Sequence, residues 1–129
     1  EFNKEIIIRL AKKIGITTNF DSSTNLISKS KKKDQRLVKL CEELNATNYI
    51  SPLGAKEYIE KNNESGAFFN TKINLYYQNF QHPKYKQLNN EFVSHLSIVD
   101  LLFHVGFEQA INIVKRGRKK LLTSIELKN

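Results

Sequence analysis

Two short constellations hold residue types whose spacing could support chemistry. Asp100 and His104 are four residues apart, so on a helix they share one face. A carboxylate that orients an imidazole is a general-base arrangement. The same stretch has a structural use: Ser97 and Asp100 are three apart, the spacing of a capping box. There the serine oxygen takes one free N–H of the first turn and the acidic side chain reaches back to another. Set among Leu101, Leu102 and Val105, His104 reads as a half-buried, satisfied histidine, and capping is the preferred reading of this run over catalysis by Asp100 and His104.

The second constellation points to ligand binding. Asp21-Ser22-Ser23 and Ser51-Pro52-Leu53-Gly54 each follow a β-prone stretch. Both turns are therefore expected at the carboxyl edge of a parallel sheet, where open α/β sheets bind ligands. A helix opened by Ser51 would offer free N–H groups and a partial positive charge to a carboxylate or phosphate. Ser51, Gly54 and Tyr58, with Ser22 and Ser23, are the expected contacts to a small anionic or nucleotide-like ligand. Tyr85 and Gln87, on a long loop, are expected to fold over the same edge. The competing explanation is that these serines only cap helices and close turns. His82 and His95 have no partner at ligand spacing, and neither a zinc pattern nor a Ser-His-Asp pattern is visible. No cofactor can be named from the sequence.

The elements that must position these residues follow from periodicity. Ile6, Ile7, Leu10, Ala11 and Ile14 recur at helical spacing over 3–14, and Gly15 ends that helix. Ile16 to Phe20 is short and β-prone. A second helix is expected at 34–45 with Leu37, Val38, Cys41 and Leu44 on one stripe, then a strand at 47–50. Ser51 as N-cap and Pro52 at the first helical position open a third helix through Ile59. Ile73, Leu75 and Tyr77 alternate with polar neighbours, a third strand. Residues 79–95 form a long loop, of a length that is usually functional or mobile. Helices at 97–105 and 107–116 follow, stopped by Gly106 and Gly117. The fold expected is α/β: a small, mostly parallel sheet of about three strands flanked by about five helices. One domain is expected over 1–117, with a basic, frayed tail over 118–129. So small a sheet covers itself poorly, which suggests a homodimer or a missing N-terminal half.

Composition narrows the function classes. The chain has 129 residues, is 40% hydrophobic and 26% charged, and carries a formal charge of +8, values that suit one folded domain. The charge is uneven: +4 over 1–48, −1 over 49–114 and +5 over 115–129. Its excess lies in Lys29, Lys31, Lys32 and Lys33 and in the run Lys115 to Lys120, which read as a loop and a tail, where solvated lysines are ordinary. A nucleic-acid partner is therefore disfavoured. Cys41 is the single cysteine, so no intrachain disulfide forms. No apolar run approaches the roughly 20 residues of a membrane span and no signal-peptide core is present, so no membrane span is expected and a cytoplasmic protein is.

Three blocks carry a family likeness. Tyr49-Ile50-Ser51-Pro52-Leu53-Gly54-Ala55-Lys56-Glu57-Tyr58-Ile59, His82-Pro83-Lys84-Tyr85-Lys86-Gln87, and Leu96-Ser97-Ile98-Val99-Asp100-Leu101-Leu102-Phe103-His104-Val105-Gly106 resemble, in order and spacing, the C-terminal portion of WbqC-like proteins over about residues 1–115. Pro52 stands where the family usually has glycine, and His104 where it usually has asparagine. The His-Gln-Pro and Tyr-Leu-Pro-Trp stretches of the family's first half do not occur. The resemblance implies a bacterial protein of uncharacterised activity, part of a transferase of glycine, aminoacyl or similar groups in O-antigen or surface-polysaccharide synthesis. The alternative is a non-enzymatic binding module, for a partner protein through Phe68, Phe69, Tyr76 and Tyr77 or for nucleic acid through the lysine clusters.

Overall fold

Alternation at period two puts one side of a strand inward, and Ile73, Leu75 and Tyr77 are all buried in the computed structural model, which describes residues 1–26, 33–88 and 91–128. The last two lie on β2 (Asn74–Gln78), which pairs in parallel with β1 (Asn48–Pro52), Ser51 opposite Tyr77. The helices are α1 (Phe2–Lys13), α2 (Lys33–Glu43), the four-residue α3 (Lys56–Ile59) and α4 (Ile98–Arg116). The class is α/β, with two strands and four helices among the described residues. Of the first lysine cluster, Lys29, Lys31 and Lys32 lie outside them.

Contacts divide the chain into two compact units, where one domain was expected. The first contains residues 1–20 and 80–118, the second 21–79 and 119–129.

In the first unit α1 ends as its sequence predicts. Gly15 takes φ +88°, its N–H reaches the Lys12 carbonyl and the N–H of Ile16 reaches that of Ala11, closing two carbonyls that the helix would leave unpaired. Ile16 then packs with Ile14, Leu101, Ala110 and Ile113, the core of this unit. This is why the expected strand at 16–20 does not form: its first N–H is used by the helix end and its first side chain by this core. β-propensity without a neighbouring strand makes no sheet. α4 is interrupted at Gly106, with φ 75° and ψ 173°, so the two helices expected at 97–105 and 107–116 are present as two arms of one element. At its end Gly117 accepts from the Gln81 N–H, and a Cβ there would fall 2.5 Å from the Gln81 carbonyl oxygen and the Phe80 ring. Only glycine lets the loop's first residues lie this close.

The second unit is built on Val38 and Cys41 of α2 with Ile59, Phe68, Ile73, Leu75 and Tyr77. Tyr49 stacks on Phe68 with ring centroids 5.2 Å apart, and Asn45, at φ 52°, ends α2 as Gly15 ends α1. The helix expected from Ser51 is displaced. Ser51 and Pro52 stay in β1, a 3-10 turn spans Leu53–Ala55, and α3 follows. Of the four aromatic residues expected to face a partner, Phe68 and Tyr77 are in the core, Tyr76 is half-buried and Phe69 is exposed.

The expected frayed tail is also corrected. Leu122 exchanges both backbone hydrogen bonds with Tyr77, at 2.7 and 3.0 Å, and Lys119 N–H reaches the Asn79 carbonyl. This antiparallel bridge covers the β2 edge that β1 leaves open, which an exposed edge strand requires. Ser124 is buried and bonded to Ser65, while Lys120 and Thr123 hold Glu126. Lys115, Arg116, Arg118, Lys119 and Lys120 remain exposed.

Deleting residues 119–129 removes the Tyr77 bridge and the packing of Leu122 and Leu127, and is expected to cost about 2–4 kcal/mol in urea unfolding followed by circular dichroism. The hydrogen bond from Lys120, then those from Thr123, hold the Glu126 carboxyl at about 2. Its contribution is present above the ordinary carboxylate range near about 4.3 and is lost as pH falls toward the folded value. The stability advantage of the parent chain over Glu126→Gln should therefore shrink between about pH 5 and pH 2, as read by unfolding at stepped pH.

Candidate functional site

Residues 81–97 make no helix or strand among the described residues, so their polar groups need partners from elsewhere. The first arm of α4 supplies them. Ser97 caps the helix by accepting from the Val99 N–H at 3.2 Å, as its position predicts. Asp100 does not reach back to complete a capping box. Its Oδ2 accepts from the Tyr85 hydroxyl at 2.6 Å and from Gln87 Nε2 at 3.3 Å. The Gln87 amide also pairs with the Val93 backbone, donating at 2.9 Å and accepting at 2.8 Å. One helix carboxylate thus holds the first limb of the loop directly, and Gln87 ties the second limb to it at Val93.

His104, one turn on, is fully employed. Its Nε2 accepts from the Leu88 N–H at 3.1 Å, so this nitrogen carries no proton. The proton is on Nδ1, which donates to the Asp100 carbonyl oxygen at 2.8 Å and lies 3.5 Å from Oδ1. The His104 side chain is 16% exposed and that of Asp100 28%. A base needs a nitrogen open to substrate, and His104 has none, so the half-buried, satisfied histidine is what the geometry gives. Burial, then the bond to Asp100, raises the Tyr85 phenol above its ordinary range, which keeps it a donor to that carboxylate.

Around Tyr85 stands an aromatic cluster that sequence spacing did not reveal. Phe92 meets Tyr85 edge to face at 5.3 Å, and His82 lies 5.0 Å from His95, 6.0 Å from Phe92 and 6.3 Å from Phe80. His95 sits on left-handed backbone, φ 62°, unusual for a side chain of this size, and its Nδ1 is 2.8 Å from the Ser94 hydroxyl. Unlike His104 it is exposed, and among the described residues no protein group bonds its Nε2. The available signal was the density of rings in one loop, with Phe80, His82, Tyr85, Phe92 and His95 within sixteen positions.

The other expected contacts are in the second unit and are not assembled as expected. Ser51 is fully buried in β1, out of reach of a ligand. No helix starts at it, so the N–H groups expected to bind an anion are absent from that position. Gly54 and Tyr58 are exposed. Ser22 caps its own 3-10 turn, bonding Thr24, and Ser23 accepts from Arg36 Nη2 at 3.4 Å. With 16–20 unpaired, no strand exists for the Ser22 turn to leave beside β1. Among the described residues no group of three histidine, cysteine or acidic side chains could hold a metal.

Tyr85→Phe removes a donor to a carboxylate and should cost about 1.5–3 kcal/mol in chemical unfolding. Nitrogen-detected NMR of His104 should show the proton on Nδ1 and none on Nε2. The reverse tautomer would contradict the bond from Leu88.

A model of the WbqC-like protein family matches residues 1–112, taking in the loop, Asp100 and His104. Among curated proteins, Uncharacterized protein Rv1507c of Mycobacterium tuberculosis is 30% identical over 107 residues, which cover 82% of this chain and 44% of the relative. The chain thus spans less than half of that relative's length. No solved structure matches it. With a family match over most of its length, this chain belongs to the WbqC-like protein family.

Proposed function

We propose that this chain carries part of the site of a group-transfer enzyme acting in bacterial surface-polysaccharide synthesis, with the loop over the first arm of α4 as its working surface. The group moved is an acyl or aminoacyl unit, and the acceptor is a hydroxyl or amine of a sugar. What carries the reading is His95: an exposed imidazole, its Nδ1 oriented by Ser94 at 2.8 Å, on left-handed backbone and 5.0 Å from the His82 ring. Backbone held in a sparsely populated region recurs at functional sites, because the surroundings must enforce it. In this reading Tyr85, Gln87, Asp100 and His104 are the frame that fixes the loop, supported by their bonds to one another and to its backbone.

The step asked of His95 is the removal of one proton. The acceptor oxygen or nitrogen attacks the carbonyl carbon of an activated donor, Nε2 takes the proton, the new C–O or C–N bond forms, and the bond to the leaving group breaks with its electron pair. General-base assistance of this kind contributes about 10²–10⁴-fold. The faces of Phe92 and His82 offer stacking surfaces to the base of a nucleotide-linked donor.

The test is a thermal-shift screen of the chain against nucleotides, amino acids and nucleotide sugars, then transfer assays on any class that binds. A ligand at 100 times its Kd adds about 2.7 kcal/mol, so a true ligand class gives a clear shift. His95→Asn should leave that shift intact and lower the transfer rate by about 10²–10⁴-fold. An unchanged rate would remove His95 from the reaction, and a screen without any shift would count against a preformed site.

A further inference from the structure

Beside the His95 surface lies a pocket of about 160 Å³ lined by rings of the loop, His82 among them, and by Leu96, Ser97, Ile98, Leu101 and Val114. No lysine, arginine, aspartate or glutamate lines it. Apart from Ser97, its walls are rings and branched aliphatic side chains, drawn from both ends of the loop and both arms of α4. An apolar cavity of about 150 Å³ is large enough to take benzene. The size and lining therefore select an uncharged group of about that bulk, and exclude a nucleotide, a sugar or a phosphate from the pocket itself.

One wall atom adds a polar requirement. His82 Nδ1 is shut off from solvent and has no hydrogen-bond partner among the described residues, a condition that costs free energy while it lasts. The imidazole is only partly buried. His82 lines the pocket, so a hydroxyl bound there is placed to give Nδ1 the partner it lacks. Ser97 already accepts the Val99 N–H on its oxygen, so of the two it is His82 Nδ1 that has no partner.

We infer that this pocket is a binding site for a small uncharged ring, or a branched acyl group of similar bulk, that carries one hydroxyl or comparable donor, with His82 as the residue that selects for the donor. The inference rests on the pocket alone and does not require the transfer reading. Phenol binding without any transfer activity would leave it standing.

Phenol and benzene are the probes, titrated into the chain while NMR follows the methyl groups of Ile98, Leu101 and Val114. Both should perturb these methyls, phenol binding about 2- to 10-fold more tightly, the range of one net hydrogen bond. His82→Phe should bring the two probes to equal affinity. Leu96→Trp, at a position 43% exposed, should fill the pocket and abolish both bindings with the remaining amide spectrum preserved, which separates blocked binding from misfolding. Methyl groups unmoved by either probe up to its solubility limit would overturn the pocket as a binding site. A phenol preference that survives His82→Phe would overturn the role given to His82.

Discussion

The candidate site depends on one half-buried carboxylate, that of Asp100. A chain segment without helix or sheet must still pair its N–H and carbonyl groups or leave them to water, and a segment bonded only to water has no fixed shape. Asp100 resolves this by turning away from its own helix end, where capping would have used it, and accepting from Tyr85 and Gln87. Hydrogen bonds to an ionised acceptor are shorter and stronger than neutral ones, and the 2.6 Å contact from Tyr85 fits that class. His104 repeats the device one turn later with a neutral ring, using one nitrogen on the loop and the other on the helix. The rings of His82, Phe92 and His95 are placed because these two residues place the loop.

The second unit solves a different problem with the same economy. Two parallel strands leave both outer edges open, and β2 closes one of its own by pairing Tyr77 with Leu122 from the end of the chain. Tyr77 is at the centre of this arrangement. Its backbone bonds Leu122, its side chain is fully buried, and its hydroxyl donates to Glu60 at 2.8 Å. Burial and that bond push the phenol well above its ordinary range, so it remains a donor at every pH at which the fold persists.

Much of the local structure was legible because it is set by nearest neighbours. Helix α1 follows from apolar spacing and its stop at Gly15, α2 from apolar spacing, β2 from strict alternation, and the break in α4 from Gly106. The failures were all decided at long range. Ile16 to Phe20 has strand-forming residues and no strand beside it. Pro52 would fit the first turn of a helix, yet its dipeptide with Ser51 is held in the ladder opposite Tyr77 and Gln78. The tail reads as basic and polar, and no local rule shows that Leu122 has a partner 45 positions earlier. For the site, Tyr85 and Gln87 are legible from the long loop and Asp100 and His104 from helical spacing, and the structure makes the two pairs one cluster. A Ser-x-x-Asp pattern states that a cap can form, but it does not exclude a stronger donor arriving from another part of the chain.

The most direct test of this account is amide hydrogen exchange at two loop positions. If Asp100 and His104 hold the loop, the Leu88 and Val93 amides, whose acceptors are His104 Nε2 and Gln87 Oε1, exchange as slowly as amides in the first arm of α4, and Asp100→Asn speeds both while leaving the Tyr77 amide protected. Exchange of Leu88 and Val93 at the rate of an unstructured chain in the parent protein would mean that the loop is not held, and the site built on it would have no fixed geometry.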